Sequence, residues 1–307
     1  MVVSLGRMTA VLVCALALLP FAVWFYDQPL TPLQHTLVHD AVVVMLGFSL
    51  LCFVLGELSG NISQVDKLWS LLPPIYAWLL TVKAGYEPRM VLMSAVATVW
   101  GLRLTFNFAR HGGYSWKFWS GNEDYRWAHV RQMPFMEHRL VWTAFHLGFI
   151  CIYQNILLMA LALPIVLAAD APRPLGIFDW LLAAAYLGFV IFETIADEQQ
   201  QKFQNGKKRR LKAGERLDGD HARGFITSGL WSCSRHPNYF AEQSLWIVFF
   251  LFSVAATGRL NWTVAGCIML MLIFQGSSKL GEKVQNHKYP DYPEYQRRTP
   301  RFLPRLF

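Results

Sequence analysis

Long apolar runs fill most of this chain, and they constrain its fold more than any motif does. A helix that crosses the hydrocarbon core of a bilayer needs roughly 20 apolar residues. Eight stretches qualify: 8–26, 36–57, 65–83, 90–109, 140–168, 176–200, 239–257 and 261–278. Charged residues make up only 16% of the 307 positions, against about 25% in a soluble domain. Hydrophobic residues make up 54% and the mean hydropathy is +0.29. The expected fold is therefore all-α, a polytopic membrane helix bundle of about seven or eight transmembrane helices. No stretch is left over for a separate soluble domain, and no internal repeat or low-complexity tract is present. The first run follows Arg7 and contains Ala15-Leu16-Ala17, which resembles a signal-cleavage site. It continues apolar to Trp24, longer than a signal peptide's apolar region usually runs, and is read as a retained anchor.

The net charge of +8 is unevenly spread. Five Lys/Arg lie in 110–139, nine in 202–235 and seven in 279–307, while the alternate loops hold none in 27–35, two in 83–89, and one each at Arg173 and Arg259. Basic loops stay on the cytoplasmic side. Eight spans with both termini inside satisfy every loop, which places the protein across the inner (cytoplasmic) membrane. The run Lys207 to Arg210 is either this topogenic signal or a contact for phosphate or lipid headgroups. The five cysteines show no metal spacing, and the four in apolar segments read as buried small side chains. His35 and His39, four residues apart without a third ligand nearby, read as structural or interfacial.

Polar residues inside the apolar runs fall on helix faces. Asp66, Trp69, Pro73 and Tyr76 share one face, as do Trp100, Arg103, Asn107 and Arg110. Glu193, Asp197, Gln200 and Gln204 form a third face, and Asn238, Glu242 and Trp246 a fourth. With the topology above, the charged members of all four lie toward the cytoplasmic ends of their spans. A charge at membrane depth costs at least about 2.5 kcal/mol on insertion scales and normally faces an interior cavity with partners. One account is structural, with Arg103 paired to Glu193 or Asp197. The other is a cofactor cavity open to the cytoplasm. His111-Gly112-Gly113-Tyr114 offers backbone N–H groups for an anion, and the aromatic and basic loop from Trp116 to Trp127 suits either a planar phosphate-bearing ligand or the membrane interface. Tyrosines alternate with charges from Lys288 to Arg298 and could stack or donate hydrogen bonds. No GxGxxG follows a strand and no Walker motif occurs, so any nucleotide would be held by the membrane helices themselves. No nucleic-acid partner is expected.

The stretch Ser234-Arg235-His236-Pro237-Asn238-Tyr239-Phe240 with Glu242 resembles the RHPNYxGE signature of the steroid 5α-reductase superfamily, most closely its bacterial membrane branch. The matching segments are Gln64 to Trp69, Arg103 to Phe108, the Gly112-Gly113-Tyr114 turn, Glu123 to Trp127, Glu193 to Asp197, Tyr289 to Tyr292 and Tyr295 to Thr299. The resemblance covers roughly residues 60–307, which would form the reductase domain after N-terminal transmembrane helices in 1–59. It implies NADPH-dependent reduction of an activated carbon–carbon double bond in a lipophilic steroid-, sterol- or isoprenoid-like molecule taken from the bilayer. By position Asp66 and Trp100 would polarise the substrate carbonyl, with Tyr76 as a further donor. Asn238, Tyr239 and Glu242 would contact the nicotinamide side; Arg103, Arg110, Asp197 and Arg235 would contact phosphate or ribose. Asn107, Glu193, His236, Glu282 and Tyr292 complete the cofactor-side set, with His236 and Pro237 also shaping the start of the helix. Trp100 stands where the steroid enzymes have tyrosine, Asp66 is shorter than their glutamate, and Ala241 replaces the usual glycine. The RHPxY element also occurs in isoprenylcysteine methyltransferases. An S-adenosylmethionine enzyme is thus the rival reading, with Glu193 and Asp197 suited to a sulfonium. A transporter or lipid-binding scaffold would need polarity continuing into the outer half of the spans, and spans three to seven show little.

Overall fold

A computed structural model describes residues 27–305 other than positions 118 and 122. The expected first span, 8–26, lies outside the described residues. Among the described residues the regular elements are all helical. Six helical segments are long and apolar enough to cross a membrane: Pro32–Ser59, Pro88–Arg110, Arg139–Ala168, Ile177–Lys212, Pro237–Thr257 and Trp262–Lys288. The chain is a multi-pass membrane protein.

The span expected at 65–83 is two helices, α2 (Gln64–Leu68) and α3 (Leu72–Lys83). The reason is Pro73-Pro74. Proline has no N–H to donate and disfavours helical backbone in the residue before it, so it begins a helix and does not continue one. The pair therefore sits at the start of α3. With 12 residues, α3 is about 18 Å long, short of the roughly 30 Å hydrocarbon core. Better-marked helices start where chemistry dictates. α1 (Pro32–Ser59) opens on a reciprocal cap: the Gln34 amide N–H donates to Thr31 Oγ1 at 3.2 Å, and the Thr31 N–H to Gln34 Oε1 at 3.1 Å. It ends at Gly60, whose φ of 68° is left-handed. α4 (Pro88–Arg110) is capped by the Glu87 carboxylate, which accepts from the Met90 N–H at 2.8 Å.

The described residues divide into two compact units. The first runs to Ala183 and includes Phe249–Gly266; the second is Ala184–Val248 with the chain from Cys267 onward. In the first unit α3 packs on α4 at Gly101, where a β-carbon would stand 2.6 Å from the Ser70 carbonyl oxygen and 2.7 Å from Pro74. That close approach lets Ser70 and Thr105 hydroxyls meet at 2.7 Å, with Trp78–Thr98 and Thr81–Ser94 each at 2.8 Å further along. Arg139–Ala168 is irregular: α6 (Arg139–Phe145) passes through a π-helical turn (His146–Tyr153) into α7 (Gln154–Ala162). The second unit holds most of α8 (Ile177–Lys212), the start of α11 (Pro237–Thr257), most of α12 (Ala265–Lys288) and the short α13 (Tyr292–Arg298). Here Phe225, Tyr292 and Tyr295 form a buried aromatic cluster with Tyr289 against it.

Candidate functional site

In the second unit the Ser234–Glu242 stretch turns from coil into α11 and is tied to the end of the chain. The N–H groups of Arg235 and His236 donate to the carbonyls of Pro300 and Arg301 at 2.9 and 3.0 Å, and Ser234 Oγ donates to the Phe302 carbonyl at 2.7 Å. Arg235 is buried, with its guanidinium committed. Nε and one terminal nitrogen bond the two carboxylate oxygens of Glu282 at 2.7 and 3.2 Å. The other terminal nitrogen donates to the carbonyls of Gln296, at 2.9 Å, and Thr299. His236 Nε2 and Gln296 Nε2 also donate to Glu282, at 3.0 and 2.9 Å. Arg235, expected at a nucleotide phosphate, instead locks the turn onto α12 and the tail. A bidentate fork of this kind uses the donors that phosphate recognition would need.

The next turn of α11 is less enclosed. Asn238 Nδ2 donates to Asp197 of α8 at 3.2 Å. Glu242, buried, accepts from Trp246 Nε1 at 3.0 Å one turn along. Tyr239 is stacked between His236 (5.2 Å) and Phe274 (4.5 Å between ring centres). Glu193 is buried on α8. Expected cofactor-side residues from α8 and α11 are thus brought together through Asp197–Asn238. Tyr292 is not a surface contact: it packs edge-on against Phe225 at 5.0 Å, and burial pushes its phenol well above the ordinary tyrosine range. Two buried atoms have no hydrogen-bond partner: the Oε1 oxygens of Gln200, on the polar face of α8 named above, and of Gln285 on α12, which the sequence reading did not single out. Gln285 lies outside every matching segment.

In the first unit Asp66 sits half-buried in the first turn of α2, Trp100 is wholly buried on α4, and Tyr76 is wholly buried on α3. The Tyr76 hydroxyl makes no hydrogen bond. α2, which carries Asp66, and α3, which carries Tyr76, both pack against α1. Further along α4, Arg110 Nε donates to Asn107 Oδ1 at 2.8 Å, and Arg103 is half-buried on the same face.

The Gly112-Gly113 turn is no anion cradle. The N–H groups of His111, Gly112 and Gly113 are spent on the carbonyls of Phe108 and Ala109 at 3.0–3.3 Å, closing the end of α4. Helix ends leave carbonyls that the following residues satisfy. The aromatic loop is likewise bound to the chain. Ser63 Oγ accepts from the Asp124 N–H at 3.0 Å and from Trp127 Nε1 at 3.1 Å; the Ile62 N–H donates to Glu123 at 3.1 Å; Gln64 Nε2 donates to the Trp119 carbonyl at 3.0 Å. The residues just before the Gln64 to Trp69 segment are therefore what the Glu123 to Trp127 segment is tied to.

Comparison with known proteins agrees with the extent of this architecture. Residues 52–299 match a family model described as protein of unknown function, DUF1295. An uncharacterized protein of the fission yeast Schizosaccharomyces pombe is 37% identical over 281 residues, 84% of this chain and 78% of its own length. No solved structure matches. The family match spans most of the chain, so the chain belongs to the DUF1295 family of proteins of unknown function.

Proposed function

We propose that this protein is a membrane oxidoreductase that uses NADPH to reduce an activated carbon–carbon double bond of a lipophilic steroid-, sterol- or isoprenoid-like substrate, as in the steroid 5α-reductase superfamily that its motifs resemble. The observation that carries this reading is the buried Tyr76 hydroxyl, which has no hydrogen-bond partner; its helix and the α2 helix of Asp66 both pack on α1. Reducing an enone builds negative charge on its carbonyl oxygen, and donors fixed where that charge develops supply the largest catalytic effect. A phenol is such a donor, and a carboxyl is one when an apolar setting keeps it protonated. Tyr76 and Asp66 take that role, and Trp100 adds a buried aromatic wall on α4.

NADPH, when bound, supplies hydride. The second unit has groups that suit its ribose and carboxamide donors: the Oε1 atoms of Gln200 and Gln285 are buried acceptors without a partner. Glu193, Asp197, Asn238, Tyr239 and Glu242 belong to the same helices. Arg103, Asn107 and Arg110 would meet phosphate or ribose. Arg235, His236, Glu282 and Tyr292 serve as positioning residues that hold the Asn238 turn in place. The basic loops would face the cytoplasm, in keeping with the positive-inside rule, and the membrane would be the inner one.

Thermal-shift measurement on the purified full chain in detergent tests the class. NADPH at a hundredfold over its Kd should stabilise by about 2.7 kcal/mol. Asp66→Asn should keep that stabilisation and lose turnover, and Tyr76→Phe should lower kcat by roughly 100-fold. Stabilisation by S-adenosylmethionine and none by NADPH would overturn the reading in favour of a methyltransferase.

A further inference from the structure

The loop after α4 has a bound polar side and an open apolar side. On the polar side the Tyr114 hydroxyl donates to the Lys67 carbonyl at 2.9 Å, Lys67 Nζ to the Ser120 carbonyl at 2.9 Å, and Asn61 Nδ2 to the Gly121 carbonyl at 3.1 Å. Gln64 holds the Trp119 carbonyl in the same way. On the other side Trp116 is wholly exposed and Trp119 is 45% exposed. The depth of these two residues follows from α4. That helix is long and apolar enough to cross a membrane, and it ends at Arg110. The chain then turns back onto it. The Gly113 N–H donates to the Phe108 carbonyl at 3.1 Å, the Tyr114 ring meets the Phe108 ring edge-on at 5.1 Å, and a β-carbon at Gly113 would stand 2.3 Å from that ring. Gly113 and Tyr114 are therefore level with the last turn of the crossing helix. Trp116 is two residues further on, a reach of at most about 7 Å. The polar layer on each side of the hydrocarbon core is itself about 5–7 Å thick.

We infer that Trp116, Lys117 and Trp119 form an interfacial anchor whose partner is the phospholipid headgroup layer at this end of α4. The two indoles sink into that layer and Lys117 meets a lipid phosphate. Tryptophan suits the position because its ring is apolar and its N–H still finds an acceptor there. The charge fits as well. Lys117 is exposed, and between Arg110 and Glu123 it is the only Lys, Arg, Asp or Glu. A basic side chain unopposed by acids is drawn to anionic lipid. The apolar surface also continues onto the crossing helix: Phe106, on the last turn of α4, is 66% exposed, and Arg110 lies over its ring at 5.8 Å. The anchor has a use in the fold. Gln64 and Lys67 flank Asp66 on α2 and both are bonded to this loop, so a loop held by the bilayer holds α2 as well.

Photo-crosslinking tests this without any nucleotide or substrate, so it succeeds or fails separately from the NADPH measurement. Benzoylphenylalanine is placed in turn at Trp116, Trp119 and Phe106 of the full chain. The protein is reconstituted in vesicles of equal phosphatidylglycerol and phosphatidylcholine, irradiated, and read by intact mass. The Phe106 position, on a crossing helix, is the lipid-facing reference. Positions 116 and 119 should each gain the mass of one phospholipid in a yield comparable to that at 106. At 116 the phosphatidylglycerol adduct should exceed the phosphatidylcholine adduct by about fivefold, the preference one basic residue gives at an anionic surface. Lys117→Gln should bring that ratio toward one and keep the lipid adduct. A lipid adduct at 106 with none at 116 or 119 puts the loop in water and overturns the anchor. Covalent dimers in place of lipid adducts overturn it in favour of contact between copies. A ratio of one in the unaltered loop, or one that Lys117→Gln leaves unchanged, overturns the assignment of Lys117. Trp116 is wholly exposed, so the probe there disturbs no packing; position 119 decides the matter if the 116 variant fails to fold.

Discussion

Among the described residues two arginines are buried against carboxylates, one in each unit. In the first unit Arg89 bonds both oxygens of Asp179 at 2.7 and 3.0 Å and the carbonyls of Arg173 and Pro174 at 2.8 and 2.7 Å. Asp179 also accepts from the Gly176 N–H at 2.8 Å. In the second unit Arg235 bonds both oxygens of Glu282 and two carbonyls of the tail. The two arginines make the same set of bonds, a carboxylate fork and two carbonyls. Arg235 belongs to the segment that resembles a cofactor signature, whereas Arg89 belongs to no motif. Membership in a signature therefore does not separate a ligand contact from a clamp. What does differ is the carboxylate. Asp179 is shared with a backbone N–H, while Glu282 is shared with His236, Gln296 and, at 3.5 Å, Arg301. The first cluster closes a pair of short loops; the second gathers several side chains around one acceptor.

The most damaging change should be Asp179→Ala. Arg89 and Asp179 side chains are 1% and 2% exposed, and removing one partner of a buried pair costs about 3–5 kcal/mol because the other charge is left behind. Thermal unfolding in detergent should show a large drop, largely rescued by Arg89→Met with Asp179→Leu, since an apolar replacement of both partners is often neutral. A single mutant as stable as wild type would break the first half of the comparison.

Glu282→Gln should cost less, about 2 kcal/mol, because the amide retains an acceptor for part of the fork. This variant sharpens the comparison. If Arg235 and Glu282 clamp the tail, the unfolding temperature falls while NADPH affinity falls only with loss of the folded form. A mutant with wild-type unfolding temperature and sharply weakened NADPH binding would make the cluster a direct ligand site.

How far these features could be read from the letters depends on their range. Helical spans are local in sequence, and hydropathy located the six crossing helices within a few residues, apart from the far ends of α8 and α12, which run on to Lys212 and Lys288 past the expected ends at 200 and 278. The stretch 65–83 misled because an averaged hydropathy window does not register that Pro73-Pro74 must start a helix. Asp197 with Asn238 was legible as two polar faces, since both sit at helical spacing inside apolar runs. Arg89–Asp179 was not, because its partners are 90 positions apart, in the first turns of α4 and α8, where a lone charge beside a loop counts mainly as a topology signal.

The smallest effect expected is a pH dependence confined to the second unit. Tyr292 and Tyr295 lie in the aromatic cluster with Phe225, and burial raises both phenols well above the usual value of 10.0. Tyr295 also donates to the Trp231 carbonyl, which an ionised phenol could not do. A raised folded-state value means that the folded protein keeps protons the unfolded chain gives up. The stabilisation is therefore complete below about pH 10 and is lost as pH rises above it, at up to about 1.4 kcal/mol per pH unit for each phenol. Unfolding temperatures measured between neutral pH and pH 11 should stay level and then fall, and the double variant Tyr292→Phe, Tyr295→Phe should flatten the alkaline limb. Because the Arg89–Asp179 cluster contains no phenol, Asp179→Ala should lower the whole profile without changing its alkaline slope. An alkaline slope unaltered by the double phenylalanine variant would remove the cluster as its source. A slope altered by Asp179→Ala would show that the two units do not unfold as separately as their internal contacts suggest.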